Sequence, residues 1–209
     1  QPHDTPFCTQ RCLLGLQHSL PLDPNCPNTP MHQRPSSKNH HPITTPHLLH
    51  LLNHQLNTTL THNCTPLGTN GAHSAPFKLT LTTYGYTFIG KGSTTSLWPE
   101  ISRESKIYNI LRPVQGSAVP VFLGEVNLAH TYFLHGVGAI RHMLVMGWGG
   151  ESLRCLGREG EMFGEGGLGR EVERSVREIE ELGVRHRDLH SGNLLWCEEV
   201  GRVLVIDFH

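Results

Sequence analysis

The stretch that most restricts the fold is VRHRDLHSGNLLWCEEVGRVLVIDFH, residues 184–209. Asp188 follows His186-Arg187, and Asn193 stands five positions after it. Leu194-Leu195-Trp196 and Val203-Leu204-Val205-Ile206 are strand-like runs separated by a polar turn. The spacing predicts a loop that leaves a helix, offers an acid and an amide, and returns along a short hairpin. Asp207 then closes the second strand, facing Asp188 and Asn193.

Phosphoryl transfer calls for such a set. One carboxylate orients the proton of an attacking hydroxyl, while an amide oxygen and a second carboxylate hold magnesium on nucleotide phosphates. Magnesium keeps several waters, so one or two protein carboxylates suffice. The run resembles the catalytic loop and metal-binding strand of the protein-kinase-like superfamily, H-R-D-L-x-x-x-N and D-F-G. Here they stand as His186-Arg187-Asp188-Leu189-His190-Ser191-Gly192-Asn193 and Asp207-Phe208-His209. The joint occurrence is far more specific than a lone His-Arg-Asp. The resemblance implies catalytic roles for Asp188, Asn193, Lys91 and Glu104, with Asn193 and Asp207 holding magnesium.

Upstream, texture divides the chain into three expected parts: a segment 1–46, an N-lobe 47–146, and a hinge with truncated C-lobe 147–209. Residues 1–46 are rich in Pro, His, Asn and Thr and nearly uncharged, a composition that reads as loop or disorder. One island differs. Cys8 and Cys12 share one face of a helical turn, and Cys26 and His32 follow, enough for a tetrahedral Cys₃His zinc site. The spacing matches no standard finger, and buried or unpaired thiols are the alternative.

Leu48, Leu49, Leu51, Leu52 and Leu56 mark a helix over 47–60. Its His47, His50 and His54 have ligand spacing, although solvated or packed histidines are commoner. Cys64–Leu67, Phe77–Leu81 and Tyr86–Lys91 read as three strands. Between the first two, Gly68 and Gly71 could cover phosphates, but G-x-G-x-x-G is incomplete and a plain turn is equally favoured. Lys91 is expected to end the third strand.

Pro99 starts a helix with Ile101, Glu104, Ile107, Tyr108 and Leu111 on one face. An acid there needs a partner, and Lys91 is the candidate, the alternative being a surface Glu. Val119–Leu123 and Ile140–Met146 complete a five-stranded sheet. Gly147-Trp148-Gly149-Gly150 reads as a supple connector; the kinase-like resemblance makes it the hinge between lobes and implies Met146, Gly147 and Trp148 at the adenine. Nine of the 22 Gly fall within 147–169, and an amphipathic helix over 168–182 then leads to His186. Its Glu171, Glu173, Arg174, Arg177, Glu178 and Glu180 form the solvated face.

Several phrases are similar to a group of kinase-like proteins of filamentous fungi: Cys8-Thr-Gln-Arg-Cys-Leu-Leu-Gly-Leu16, Leu22-Asp-Pro-Asn-Cys-Pro-Asn28, Tyr84-Gly-Tyr-Thr-Phe-Ile-Gly-Lys-Gly92, Leu111-Arg-Pro-Val-Gln-Gly116 and Gly147-Trp-Gly-Gly150. The resemblance implies an α+β, protein-kinase-like fold: a five-stranded antiparallel N-lobe sheet with one helix, a hinge and an incomplete helical C-lobe. It also implies ATP and magnesium, with a hydroxyl acceptor on a protein or small molecule. Two departures matter. His190 replaces the usual lysine, as in aminoglycoside and choline phosphotransferases, and His209 replaces the D-F-G glycine. These leave three expectations open: a protein-kinase-like enzyme, a small-molecule kinase, or a pseudokinase that keeps fold without turnover.

Charge narrows the classes further. Lys+Arg 17 against Asp+Glu 18 argues against a general nucleic-acid or membrane-surface binder. No secretory signal or membrane run is read, so a reduced cytoplasmic or nuclear setting is expected. Gln1 at the start and the stop at His209 suggest a fragment.

Overall fold

A computed structural model describes residues 5–35, 37, 39–60, 63–68, 74–162 and 166–208. The structure is α+β, with five α-helices and two sheets among the described residues. The chain forms two compact units, Gln1–Ile101 with Leu123–Trp148, and Ser102–Phe122 with Gly149–His209.

In the first unit, β1 (Cys64–Pro66), β2 (Ala75–Leu81), β3 (Tyr86–Thr94), β4 (Phe122–Leu134) and β5 (Gly138–Met146) form an antiparallel sheet of order β1-β2-β3-β5-β4. Phe77, Leu79 and Leu81 are buried, and Lys78 between them is only half-buried, as alternation requires. β3 continues past Lys91 to Thr94, so Lys91 lies within the strand, opposite Pro76 and Leu144. The strand expected at Val119–Leu123 is displaced. β4 begins at Phe122, and beyond it Val126 and Leu128 are buried while Glu125, Asn127 and Ala129 are exposed.

Helix α3 (Thr45–Thr58) starts on a Thr44 cap with Pro46 in its first turn, and buries Leu48, Leu52 and Leu56. His47, His50 and His54 are exposed, so the solvated reading holds for them. The segment before it is not a loop. It forms α1 (Gln10–His18) and α2 (Thr29–His32), with Leu13, Leu16, Leu22 and Ile43 buried. Sequence composition misleads here because pairwise polar bonds, described below, do the ordering.

The second unit contains most of α4 (Trp98–Ile110), α5 (Gly167–Glu180), and a small sheet of β6 (Glu151–Ser152), β7 (Leu194–Cys197) and β8 (Arg202–Val205). Leu168, Val172 and Ile179 form the buried stripe of α5, and Ser175 donates from that face to the Val203 carbonyl at 2.6 Å. Two acids assigned to the solvated face are only half-exposed. The largely buried Arg202 lies 2.9 Å from Glu171 and 2.8 Å from Glu178. Burial pushes the Glu178 carboxyl up, but hydrogen bonds from Arg202, Arg174 and Ser117 outweigh it and hold the group below its ordinary range.

The Gly-Trp-Gly-Gly phrase is closely packed rather than supple. A Cβ at Gly150 would lie 1.9 Å from the Trp196 carbonyl, and one at Gly149 would lie 2.7 Å from Leu195. Gly150 also has φ of +97°, a backbone that L side chains rarely adopt. No helix among the described residues is long and apolar enough to cross a membrane.

Candidate functional site

The loop 186–193 is held by side chain to backbone bonds that fix two imidazole tautomers. His186 Nδ1 accepts from the Asp188 N–H at 3.2 Å, so its proton sits on Nε2, which donates to the Ile206 carbonyl at 2.9 Å. One ring therefore ties the loop to the end of β8. Asn193 ties them again: its Nδ2 donates to the Asp188 carbonyl at 3.0 Å, and its own carbonyl accepts from the Ile206 N–H at 3.0 Å. With Nδ2 so used, Asn193 Oδ1 is the acceptor atom of the amide. Asn193 is buried, whereas the Asp188 side chain is 63 % exposed.

Beyond β8, Asp207 takes φ of +73°, in the left-handed region. Phe208 is buried against His186 at 5.0 Å and edge-on to Tyr108 at 5.6 Å. Tyr108 sits one turn after Glu104 on the buried face of α4, stacked on Phe122 at 5.2 Å. Complete burial pushes the Tyr108 phenol well above its ordinary range, and the charges of Glu104 and Asp207 add to this. Buried Gln115 fastens the end of α4 to the start of β4: it donates to the Tyr108 carbonyl at 2.9 Å and accepts from the Phe122 N–H at 3.1 Å. Sequence reasoning placed no role on Gln115, although it lies in the Leu-Arg-Pro-Val-Gln-Gly phrase.

The remaining expected groups fall in the first unit. Lys91 lies within β3, and Met146, Gly147 and Trp148 follow at the end of β5. Gly68 is exposed with φ of +41°, and Gly71 and His209 lie outside the described residues.

A second constellation is complete within the first unit. Ligand atoms of Cys8, Cys12, Cys26 and His32 all lie within 4.8 Å of one another, and all four side chains are buried. His32 Nε2 is 3.5 Å from Cys8 Sγ and 3.6 Å from Cys26 Sγ. Zinc bonds of about 2.3 Å to sulfur and about 2.0 Å to nitrogen give a tetrahedral S···N edge of about 3.5 Å. The spacing therefore fits a four-coordinate zinc. His32 Nδ1 donates to the Tyr84 carbonyl at 2.7 Å, which leaves Nε2 unprotonated and aimed at the sulfurs.

Local sequence explains the convergence. Thr9 caps α1, accepting from the Cys12 N–H at 3.0 Å and donating to Asp23 at 2.6 Å. Asp23 also accepts from the Asn25 N–H at 3.1 Å, setting the turn that presents Cys26. Asn28 donates to Cys8 Sγ at 3.4 Å, and the Thr87 N–H donates to the same sulfur at 3.3 Å. Burial pushes the Cys8 thiol up to about 12. Hydrogen bonds from Cys12 and Cys8 lower Cys26, while the same contacts raise Cys12. A divalent ion would bind the three sulfurs as thiolates and release the protons they carry. Asp23, Asn28 and Tyr84 are the supporting residues that sequence reasoning missed. The turn formers in Leu-Asp-Pro-Asn-Cys-Pro-Asn were the available signal.

No protein-family model matches the chain. The chain is 36% identical over 205 residues to the meiotic driver SPOK2 of Podospora anserina, matching 97% of this chain and 25% of that protein. It thus spans a quarter of the length of that curated relative. Among solved structures, it is similar to the crystal structure of Rad53 1-466 in complex with AMP-PNP, with a TM-score of 0.48 and 18% identity over 74% of this chain and 41% of that one.

Proposed function

We propose that the chain is part of an ATP- and magnesium-dependent phosphotransferase with a protein-kinase-like fold. The observation that carries this reading is the double tie of Asn193 to Asp188 and Ile206, which sets an acid, an amide and the Asp207 strand end in one register. The five-stranded antiparallel sheet, with Lys91 within its third strand, agrees with such a fold.

In this reading, Asp188 accepts the proton of the acceptor hydroxyl as its oxygen attacks the γ-phosphorus and the bond to the bridging oxygen breaks. Asn193 and Asp207 would hold magnesium, and a bound ion would supply neutralisation of phosphate charge. Lys91, positioned by Glu104, contacts the phosphates, and Met146–Trp148 face the adenine. In view of the similarity to a meiotic driver, we place the reaction within a protein of that kind.

One observation favours a small-molecule acceptor. His190 Nδ1 accepts from the Gly192 N–H at 3.0 Å, so Nε2 carries the proton and lies 3.5 Å from Asp188 Oδ2. That imidazole is turned to the catalytic acid rather than outward to a phosphate, unlike the lysine of protein kinases. A zinc ion at Cys8, Cys12, Cys26 and His32 is the second part of the proposal, carried by the tetrahedral spacing.

The test is calorimetric binding of ATP with and without magnesium, beside a radiolabelled-ATP assay on hydroxyl acceptors of both classes. Magnesium-dependent binding with turnover lost in Asp188→Asn supports the enzyme. Binding without turnover on any acceptor identifies a pseudokinase, and no binding at all refutes the proposal.

A further inference from the structure

The short segment that carries two of the four cluster ligands also grips the end of β5. Phe7 and Gln10 flank Cys8, and both touch Trp148. The Phe7 and Trp148 rings stack with centroids 4.8 Å apart and planes 12° from parallel. Gln10 Nε2 donates to the Trp148 carbonyl at 2.9 Å, and Gln10 is fully buried. A Cβ built on Gly147 would lie 2.7 Å from Gln10 Nε2, so the amide rests directly against that backbone. On its other side the segment is stitched to β3, the Cys8 N–H donating to the Thr87 carbonyl at 2.9 Å.

Helix α1 is nine residues long, below the length at which a helix persists in water unaided. Cys8 and Cys12 help to place it, beside the buried Leu13 and Leu16 and the bond from Thr9 to Asp23. Gln10 lies between these two cysteines, so an ion joining them would fix the segment from which it reaches Trp148.

We infer that the Cys8/Cys12/Cys26/His32 centre, loaded with zinc or a similar thiophilic divalent ion, is a positioning centre for nucleotide binding, acting through Gln10 and Phe7 on Gly147–Trp148. This rests on the reading of Met146–Trp148 as the adenine-facing segment. Gln10 is a positioning residue: it supplies no chemistry but orders the backbone that meets the base. Linkage makes the effect reciprocal, so bound nucleotide tightens the metal by the factor that metal tightens nucleotide.

The experiment uses the 209-residue chain carrying Trp98→Phe and Trp196→Phe, which leaves Trp148 as the sole indole. Zinc is quantified by elemental analysis, then stripped with a chelator and restored. Tryptophan emission reports Trp148, and calorimetry with magnesium ATP reports affinity. Stripping is expected to shift Trp148 emission to the red as the Phe7 stack opens, and to weaken nucleotide about 10-fold, within the usual range of coupling. Zinc restores both. Gln10→Ala is expected to keep one zinc per chain yet bind nucleotide as weakly as the stripped protein, a result that a merely structural metal would not give. A chain that takes up no zinc overturns the inference. So does a stripped chain whose Trp148 emission and nucleotide affinity are unchanged, or a Gln10→Ala chain with undiminished affinity. If the zinc-loaded chain binds no nucleotide, the phosphotransferase reading fails by itself. The Trp148 emission then still decides whether metal and strand end are linked.

Discussion

Asp207 offers a sharp test, because its backbone and its side chain pull in opposite directions. At φ of +73° an L-residue is strained. The left-handed region costs roughly 1–2 kcal/mol for a side chain with a Cβ, and nothing comparable for glycine. Asp207→Gly and Asp207→Ala both delete the carboxylate, so every interaction of that group is lost equally and their difference isolates the backbone. In an ordinary position Ala is the more stable by about 0.4–1 kcal/mol, because Gly leaves more freedom in the unfolded chain. Here relief of strain should reverse the order, leaving the Gly variant ahead by about 1 kcal/mol.

Hydrogen exchange at the Val205 and Ile206 amides reads this locally, since those N–H groups bond to the Ala118 and Asn193 carbonyls next to the strained residue. A difference of about 1 kcal/mol is roughly fivefold in protection. Both variants should lose the magnesium-dependent part of ATP binding, and so should Asp207→Asn, whose amide is tolerated at this φ. An Ala variant as protected as the Gly variant would refute the strain argument. A Gly variant with magnesium-dependent binding intact would remove Asp207 from the site.

Further outcomes follow from single buried groups. Burial raises Cys64 to about 12 from an ordinary 9.0, so its contribution is full below pH 9 and declines above it as the unfolded thiol ionises. Stability from urea unfolding should fall from pH 9 to pH 11, with a slope from this group that approaches about 1.4 kcal/mol per unit and that Cys64→Val lacks. Arg202→Ala, which strands Glu171 and Glu178, should cost about 1–3 kcal/mol in thermal unfolding, and Arg202→Met less, because its apolar stem keeps the packing. Glu178 is held below its ordinary range, so its contribution is present at neutral pH and lost as pH falls through the lowered value; Arg202→Met should flatten that acid limb.

Much of the fold was legible because burial follows a period. Leu48, Leu52 and Leu56, or Phe77, Leu79 and Leu81, repeat at helix or strand spacing, and those positions are buried. The register of β4 was also open to reading, through Val126 and Leu128 between polar neighbours, but the apolar run Val119–Leu123 drew attention away from it. Gly147, Gly149 and Gly150 suggested looseness, since sequence does not distinguish a glycine that is free from one pressed against Gln10, Leu195 or a Trp196 carbonyl. Asp188, Asn193 and Asp207 were legible as a spaced motif. The ties to the end of β8 were not, because His186 and the Asn193 carbonyl bond to the backbone of Ile206, far along the chain.

The N-terminal segment shows why such ties escape a compositional reading. It offers few apolar side chains, yet Gln10, Asp23, Asn28 and His32 are each buried, and each has a specific partner. A buried polar group without its partner costs more than the bond itself returns, so a network of this kind is stable only when nearly complete. Such cooperativity leaves no period in the sequence, and any one member looks like an ordinary loop residue. Three thiols at the centre of the network would make it worse if they stood alone, since burial opposes their ionisation and their protons must be shared. One divalent ion would remove that conflict and join α1, the Cys26 turn and α2 at a point. The features that made residues 1–46 look least like structure, little charge and many turn formers, are those that let the chain bend four ligands around a single centre.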